Sequence, residues 1–239
     1  MKSGSSSEYP GSFMKQMSRT CPRPFALIAL FFALWLIRMA AYRYTDAGIS
    51  DYVEKRLLSE GWRIAVWVAV PLLWLVWIER RRLSTALFPV TPLAPRRGWL
   101  LVAAAIVCLP FFQRLFGGTW TGIPANVTAE VLIGGTLSTA VVAISEEFLF
   151  RGVFLSGLLA RNWPYFAANA ITAAFFAFSH WPGWLYGGNV SVASLAAMSV
   201  HMLLYGLVFG GFVRLEGGLK GAILVHFANN IVAGGLFRP

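Results

Sequence analysis

Long apolar segments that are almost free of charge are the feature that most constrains how this chain folds. Several contain windows of about 18 to 22 residues with hardly a charged side chain, the length that an α-helix needs to cross a hydrocarbon layer of about 30 Å. The 239-residue chain is 57% hydrophobic and 13% charged, whereas soluble domains carry about a quarter charged residues. Lipid is therefore the expected solvent. The predicted fold class is all-α, a multi-span transmembrane bundle of about seven or eight helices.

The apolar segments divide the chain into three predicted parts. A polar tail, 1–23, is rich in Ser and Gly and is expected to be disordered. Helices and loops of an N-terminal membrane region fill 24–130, and a four-helix transmembrane core fills 131–239. The predicted spans are 24–42, 62–79, 98–116, 131–160, 164–181, 192–213 and 218–237.

Basic residues collect at the ends of these spans, which accounts for the net charge of +10. Such residues anchor helices at the headgroups and favour a cytoplasmic N-terminus, so the expected partner is the lipid bilayer and not nucleic acid. The Arg-rich, Pro-containing segment 79–98 is the strongest orientation signal. The segment 49–62 has charges and apolar residues at helical spacing, which predicts an amphipathic helix in the interface instead of a span.

Two adjacent carboxylates stand in the middle of the predicted span 131–160. Glu146 and Glu147 are costly at membrane depth, and each raises the cost of ionising the other. Arg151 follows Glu147 by four residues, which places both on one helix face within reach of an ion pair. Because Glu146 is rotated by about 100° from Glu147, it is expected to point elsewhere. Taken alone, this pattern also fits a structural salt bridge beside a protonated glutamic acid.

The three histidines of the chain all lie in its C-terminal part. His180 closes the predicted span 164–181, and His226 lies inside the last span. Asn230 follows His226 by four residues, so the two share a helix face and are suited to converge on one substrate atom. His201 has no partner at helical spacing and is expected to have a packing or hydrogen-bonding role.

These residue types fit a hydrolase that activates water without a covalent nucleophile. A buried glutamate can take a proton from water and return it to a leaving amine, while His226 and Asn230 offer N–H donors to an oxyanion. Two other assignments stay open. His180, His226 and Glu146 have the composition of a His₂Glu zinc site. Intramembrane acidic and basic groups also suit an ion or proton path in a transporter, although no inverted repeat is evident.

Three motifs occur in order along the C-terminal part of the chain. They are SEEFLFRG from Ser145 to Gly152, FAFSH ending at His180, and HFANN beginning at His226. Together they resemble the CPBP family of intramembrane proteases, which includes the type II CAAX prenyl proteases and many bacterial relatives. The resemblance covers about residues 131–237 and implies an α-helical bundle with a cavity open to water.

The resemblance also implies a role for each motif residue. It makes Glu146 the base that activates water, His180 its helper, and His226 with Asn230 the oxyanion pair. Glu147, Arg151 and Phe176, the first residue of the FxxxH pattern, would support the site or hold a substrate terminus. No cofactor is expected on this mechanism, although zinc stays the alternative.

The expected function is an intramembrane endopeptidase that cuts a membrane-associated peptide or protein. The compact chain with short loops suggests a bacterial cell (inner) membrane, crossed several times. A non-catalytic interaction or immunity protein on the same scaffold is the rival from another class, and a transporter is the third hypothesis.

Overall fold

A computed structural model of the chain describes residues 22–45, 52–91, 102–104, 128–186 and 190–235. All regular structure in these ranges is helical, which confirms the predicted all-α class. Three helices continue through wider π-helical turns, and we number each continuous helix once. The helices are α1 (Pro22–Thr45), α2 (Tyr52–Ile64, continued by Ala65–Ala69, Val70–Leu73 and Trp74–Ile78), α3 (Leu83–Leu87), α4 (Ala129–Glu147, continued by Phe148–Leu155 and Ser156–Leu159), α5 (Tyr165–Phe178), α6 (Trp181–Tyr186), α7 (Val192–Glu216) and α8 (Lys220–Asn230, followed by π-helical Ile231–Gly235).

Three stretches of the described residues are long and apolar enough to cross a membrane. They are Arg23–Ala41 in α1, Leu57–Ile78 in α2 and Val192–Glu216 in α7. This finding is in line with an integral membrane protein, while the number of seven or eight spans stays a prediction. Helix α5 contains 14 residues, and α8 contains 11 followed by five in π-helical conformation, both fewer than the roughly 20 that a straight span needs. The predicted tail 1–23 and third span 98–116 lie almost entirely outside the described residues.

Residues 52–62 of the predicted amphipathic segment 49–62 do not form a separate helix. Helix α2 starts at Tyr52 and continues past Ile64 in right-handed helical conformation through Ile78. The change from polar to apolar sequence does not interrupt the backbone hydrogen bonds, so the amphipathic part is the first half of one long helix. Glu60 of this part contacts α4, where its carboxylate accepts a hydrogen bond from the hydroxyl of Ser138.

Aromatic rings join the first two helices to the C-terminal bundle. Phe31 of α1 packs edge-on against Trp67 of α2, with ring centroids 4.7 Å apart. Phe150 of α4 lies 6.0 Å from Trp67 and 5.4 Å from Phe176 of α5. All four side chains are buried, and edge-to-face pairs of this kind add to the stabilisation from burial. This ring cluster fixes where α4 and α5 stand relative to α2.

Helices α5 and α7 approach each other closely through small residues. A Cβ atom at Gly206 would come within 2.8 Å of the Ala173 side chain, and one at Gly210 would overlap the amide of Asn169. The missing side chains of these glycines therefore allow the two helices to come into close contact. At the ends of α7, the Ser191 hydroxyl accepts a hydrogen bond from the N–H of Ser194, and Gly217 adopts the left-handed conformation with φ 77°.

A buried glutamate ties the end of α2 to the end of α4. The Glu79 carboxylate forms ion pairs with Nη1 of Arg81 and Nη2 of Arg161, each with an N–O distance of 3.2 Å. Arg81 also donates from Nη2 to the hydroxyl of Ser156 at 2.9 Å. This ion cluster lies at the far end of α4 from Glu146, about ten residues or 15 Å along the helix axis.

Candidate active site

Helix α4 carries the two adjacent carboxylates where its regular α-helical part ends. Glu146 and Glu147 are 5% and 0% exposed, and the π-helical turns begin at the next residue. Single π-helical turns are often found at functional sites. The predicted ion pair forms, with Nη1 of Arg151 at 3.0 Å from Oε1 of Glu147. Both partners are fully buried, and in such surroundings each charge needs the other nearby to offset the cost of its removal from water.

Arg151 contacts a main-chain carbonyl and two aromatic rings in addition to Glu147. Its Nη2 donates to the carbonyl oxygen of Gly206 at 3.0 Å. The guanidinium lies over the rings of Phe176 and Phe209, at 4.5 and 5.5 Å from the centroids. Phe176 therefore contributes a cation–π contact to this arginine in addition to filling space. Phe176 thus supports the site through its contact with Arg151.

His226 of α8 stands between the two carboxylates. Its Nδ1 is 2.9 Å from Oε1 of Glu147, and its Nε2 is 3.7 Å from Oε2 of Glu146. Glu146 does turn away from the Glu147–Arg151 pair, as predicted from its position on the helix, yet both glutamates reach this one imidazole. The ring stacks on Phe209 with centroids 4.7 Å apart and planes at 15°.

The hydrogen bond to Glu147 determines which nitrogen of His226 faces the rest of the site. A carboxylate only accepts, so Nδ1 carries the proton and donates it to Glu147. In the neutral ring Nε2 then has a lone pair and accepts, and in the protonated ring it donates. Nε2 of His226, which faces Glu146, can therefore either accept or donate a hydrogen bond.

His180 lies just after α5, at the edge of the same cluster. Its Nδ1 is 2.8 Å from the carbonyl oxygen of Phe176, so Nδ1 is the donor and Nε2 is the accepting nitrogen of the neutral ring. The imidazole packs on Phe176, with centroids 4.9 Å apart, and the Phe176 ring is 6.0 Å from that of His226. Phe176 thus spaces the two histidines.

The last turn of α8 carries two asparagines with different surroundings. Asn230, the predicted oxyanion donor, is half-buried, and its amide makes no hydrogen bond with the described residues. Asn229 is buried, and its Oδ1 accepts a hydrogen bond from the Tyr205 hydroxyl at 3.1 Å. The sequence gives no reason to single out Asn229, because its partner lies on another helix. His201 packs against Tyr205 at 4.5 Å between ring centroids, in line with its expected packing role.

Sequence analysis missed one charged neighbour of Glu146. Arg63 of α2 places Nη1 at 3.3 Å from Oε1 of Glu146. The amphipathic pattern of 49–62 was the available signal, but a pattern within one helix does not identify a partner on another. The carboxylate of Glu146 therefore lies between an arginine from the N-terminal half and a histidine from the last helix.

The zinc alternative requires His180, His226 and Glu146 to point at one centre. Among the described residues, no group of three or more His, Cys, Asp or Glu side chains is arranged to hold a metal ion. His226 gives Nδ1 to Glu147, and His180 gives Nδ1 to a main-chain carbonyl. Nε2 of each ring remains available to a ligand, and metal-binding histidines show the same pattern of Nδ1 donation, so zinc stays the alternative to the metal-free mechanism.

The fold and the site define a helical membrane protein with an acid–base cluster of two glutamates, two histidines and two arginines in its interior. Residues 128–232 match the family model described as Type II CAAX prenyl endopeptidase Rce1-like. The match confirms the resemblance drawn from the three motifs and implies a protease. Glu146, His180, His226 and Asn230 all lie within it, whereas Arg63 lies outside. No curated protein and no solved structure matches the chain.

Proposed function

We propose that the protein is an intramembrane endopeptidase in which Glu146 activates the water that hydrolyses the peptide bond. The observation that carries this proposal is the convergence of Glu146 and Glu147 on opposite nitrogens of His226, inside a segment of a protease family. A purely structural salt bridge needs Glu147 and Arg151 only. It leaves unexplained why a second carboxylate and an imidazole are buried beside the pair at considerable cost.

Glu146 acts as the base in the first step. Its carboxylate takes a proton from water, and the resulting hydroxide attacks the carbonyl carbon of the scissile peptide bond. The accepting Nε2 of His180 orients the same water through its second hydrogen. When the tetrahedral intermediate collapses, the C–N bond breaks and Glu146 returns the proton to the leaving amine. One water is consumed, and a new carboxylate and a new amine are released.

His226 and Asn230 stabilise the oxyanion that forms on the carbonyl oxygen. Since Nδ1 of His226 donates to Glu147, the ring donates to the oxyanion from Nε2 in its protonated form, with Glu147 as the counter-charge. Asn230 donates from its side-chain amide on the same helix face. Glu147 and Arg151 then hold His226 in place and make no contact with the substrate.

The substrate that suits this site is a peptide or protein segment at the membrane. The reacting groups are buried among apolar helices, so an extended segment has to enter the bundle for its carbonyl to meet Glu146. We place the protein in a bacterial cell membrane, crossed several times, on the strength of the short loops and the arginines at the span ends. Support for a prenylated peptide as the substrate comes from the description of the matched family alone.

Hydrolysis is tested with purified protein in detergent, membrane-associated peptides, and water enriched in ¹⁸O. We expect two products, one of them with a single ¹⁸O atom in its new carboxylate, and an unchanged rate in the presence of a metal chelator. Loss of cleavage to the chelator and recovery with Zn²⁺ would contradict the mechanism and return the site to the zinc alternative. Uptake of a solute into vesicles with no peptide product would favour a transporter.

A further inference from the structure

Arg63 reaches the candidate base from a part of the chain outside the family match. It belongs to α2, whereas the match covers residues 128–232. The distance from its Nη1 to Oε1 of Glu146 is 3.3 Å, and the two side chains are 21% and 7% exposed. The three motifs that identify the site contain no counterpart for this arginine. A residue that the family motifs do not name therefore touches the proposed base.

The charges around the two carboxylates show why such a residue is needed. Arg151 is committed to Glu147 and to the carbonyl oxygen of Gly206. Glu146 is buried next to a like charge, and removing a carboxylate from water costs several kcal/mol unless a cation compensates it. The arginine in contact with Glu146 is Arg63. Two buried carboxylates are thus matched by two guanidinium groups, one from each half of the chain.

The guanidinium of Arg63 is fixed by further contacts. Its Nε lies 3.7 Å from Oε2 of Glu60, one turn earlier on α2, and its Cζ lies 5.4 Å from the ring centroid of Trp67. It also borders a cavity of about 190 Å³. The cavity is lined by Trp35, Arg38, Met39, Ser59, Trp62, Arg63 and Tyr186.

We propose that Arg63 is a positioning residue for Glu146. By binding Oε1, it turns Oε2 towards Nε2 of His226. Arg63 therefore both lines the cavity and contacts Glu146. The catalytic consequence rests on the proposed peptidase function. The contact between Arg63 and Glu146 does not rest on that function, so the contact and its catalytic effect are tested separately.

The kinetic test compares Arg63→Met and Arg63→Lys with the wild type. We expect Arg63→Met to lower kcat by about 10- to 100-fold with KM changed less than about twofold, because the carboxylate loses its orientation. Arg63→Lys keeps the charge and is expected to recover a large part of kcat. Arg81→Met is the matched control, since it breaks an Arg–Glu pair of similar length and burial at Glu79, and it is expected to leave kcat unchanged.

A double-mutant cycle tests the contact without any substrate. Unfolding temperatures are measured in detergent for Arg63→Met, Glu146→Gln and the double variant. If the two side chains are paired, the double variant loses less than the sum of the single losses. Additive losses would overturn the pairing even if the protein proves not to be a peptidase. With the cycle positive, a kcat of Arg63→Met equal to or above that of the wild type would overturn the positioning role.

Discussion

Replacing His226 with alanine is expected to lower kcat/KM for peptide cleavage by about 1,000-fold. The imidazole contacts both glutamates, at 2.9 and 3.7 Å, and in the proposed mechanism it donates to the oxyanion. Removing one oxyanion donor costs roughly 100- to 1,000-fold, and an acid–base group contributes on a similar scale. The substitution also removes the hydrogen bond that Nδ1 of His226 donates to Glu147. Cleavage of one membrane peptide by equal amounts of folded protein measures the effect.

His201→Ala is the matched control for this substitution. His201 is an exposed histidine on α7 whose ring packs against Tyr205 and takes no part in the proposed chemistry. We expect its replacement to change kcat/KM by less than about twofold. Equal losses for the two variants would show that the effect of His226→Ala comes from general damage to the bundle and not from the site.

Replacing Arg151 with methionine is expected to destabilise the folded protein by about 3 to 5 kcal/mol. Such values are typical when one partner of a buried ion pair is removed and the other is left uncompensated. Arg151 and Glu147 are both 0% exposed, and the arginine also satisfies the carbonyl oxygen of Gly206 and packs between two phenylalanine rings. Denaturant unfolding in micelles, followed by tryptophan fluorescence, gives the free energy.

The double variant Arg151→Met/Glu147→Gln separates the charge from the packing. It removes both ends of the pair, so we expect it to be more stable than Arg151→Met alone. A double variant that is as unstable as the single one would mean that the aromatic contacts, and not the buried carboxylate, account for the loss.

The fold class and the members of the C-terminal site followed from local features of the sequence. Charge-free windows predict helices in lipid because the hydrocarbon length and the helix rise are fixed. Glu147 and Arg151 were paired correctly because their spacing of four residues determines the contact within one helix. The motifs around Glu146, His180 and His226 lie in the segment that the family model matches.

Contacts between distant helices did not follow from the sequence. The pairing of Arg63 with Glu146 joins residues 83 positions apart, and that of Tyr205 with Asn229 joins residues 24 apart. Spacing within a helix says nothing about which residue of another helix lies opposite. The segment 49–62 was predicted to be a helix in the interface from its amphipathic pattern alone, whereas Tyr52 begins a helix that continues to Ile78 and whose Glu60 contacts Ser138 of α4.

The measurement that tests the central claim most directly is the cleavage rate of Glu146→Gln beside that of Glu79→Gln. Both variants remove the charge of a buried glutamate that an arginine contacts, one at the site and one at the far end of α4. We predict that Glu146→Gln lowers kcat by at least about 100-fold, because an amide cannot take the proton from water. Glu79→Gln should keep activity while it remains folded. Equal activity of Glu146→Gln and the wild type would contradict the role of Glu146 as the base.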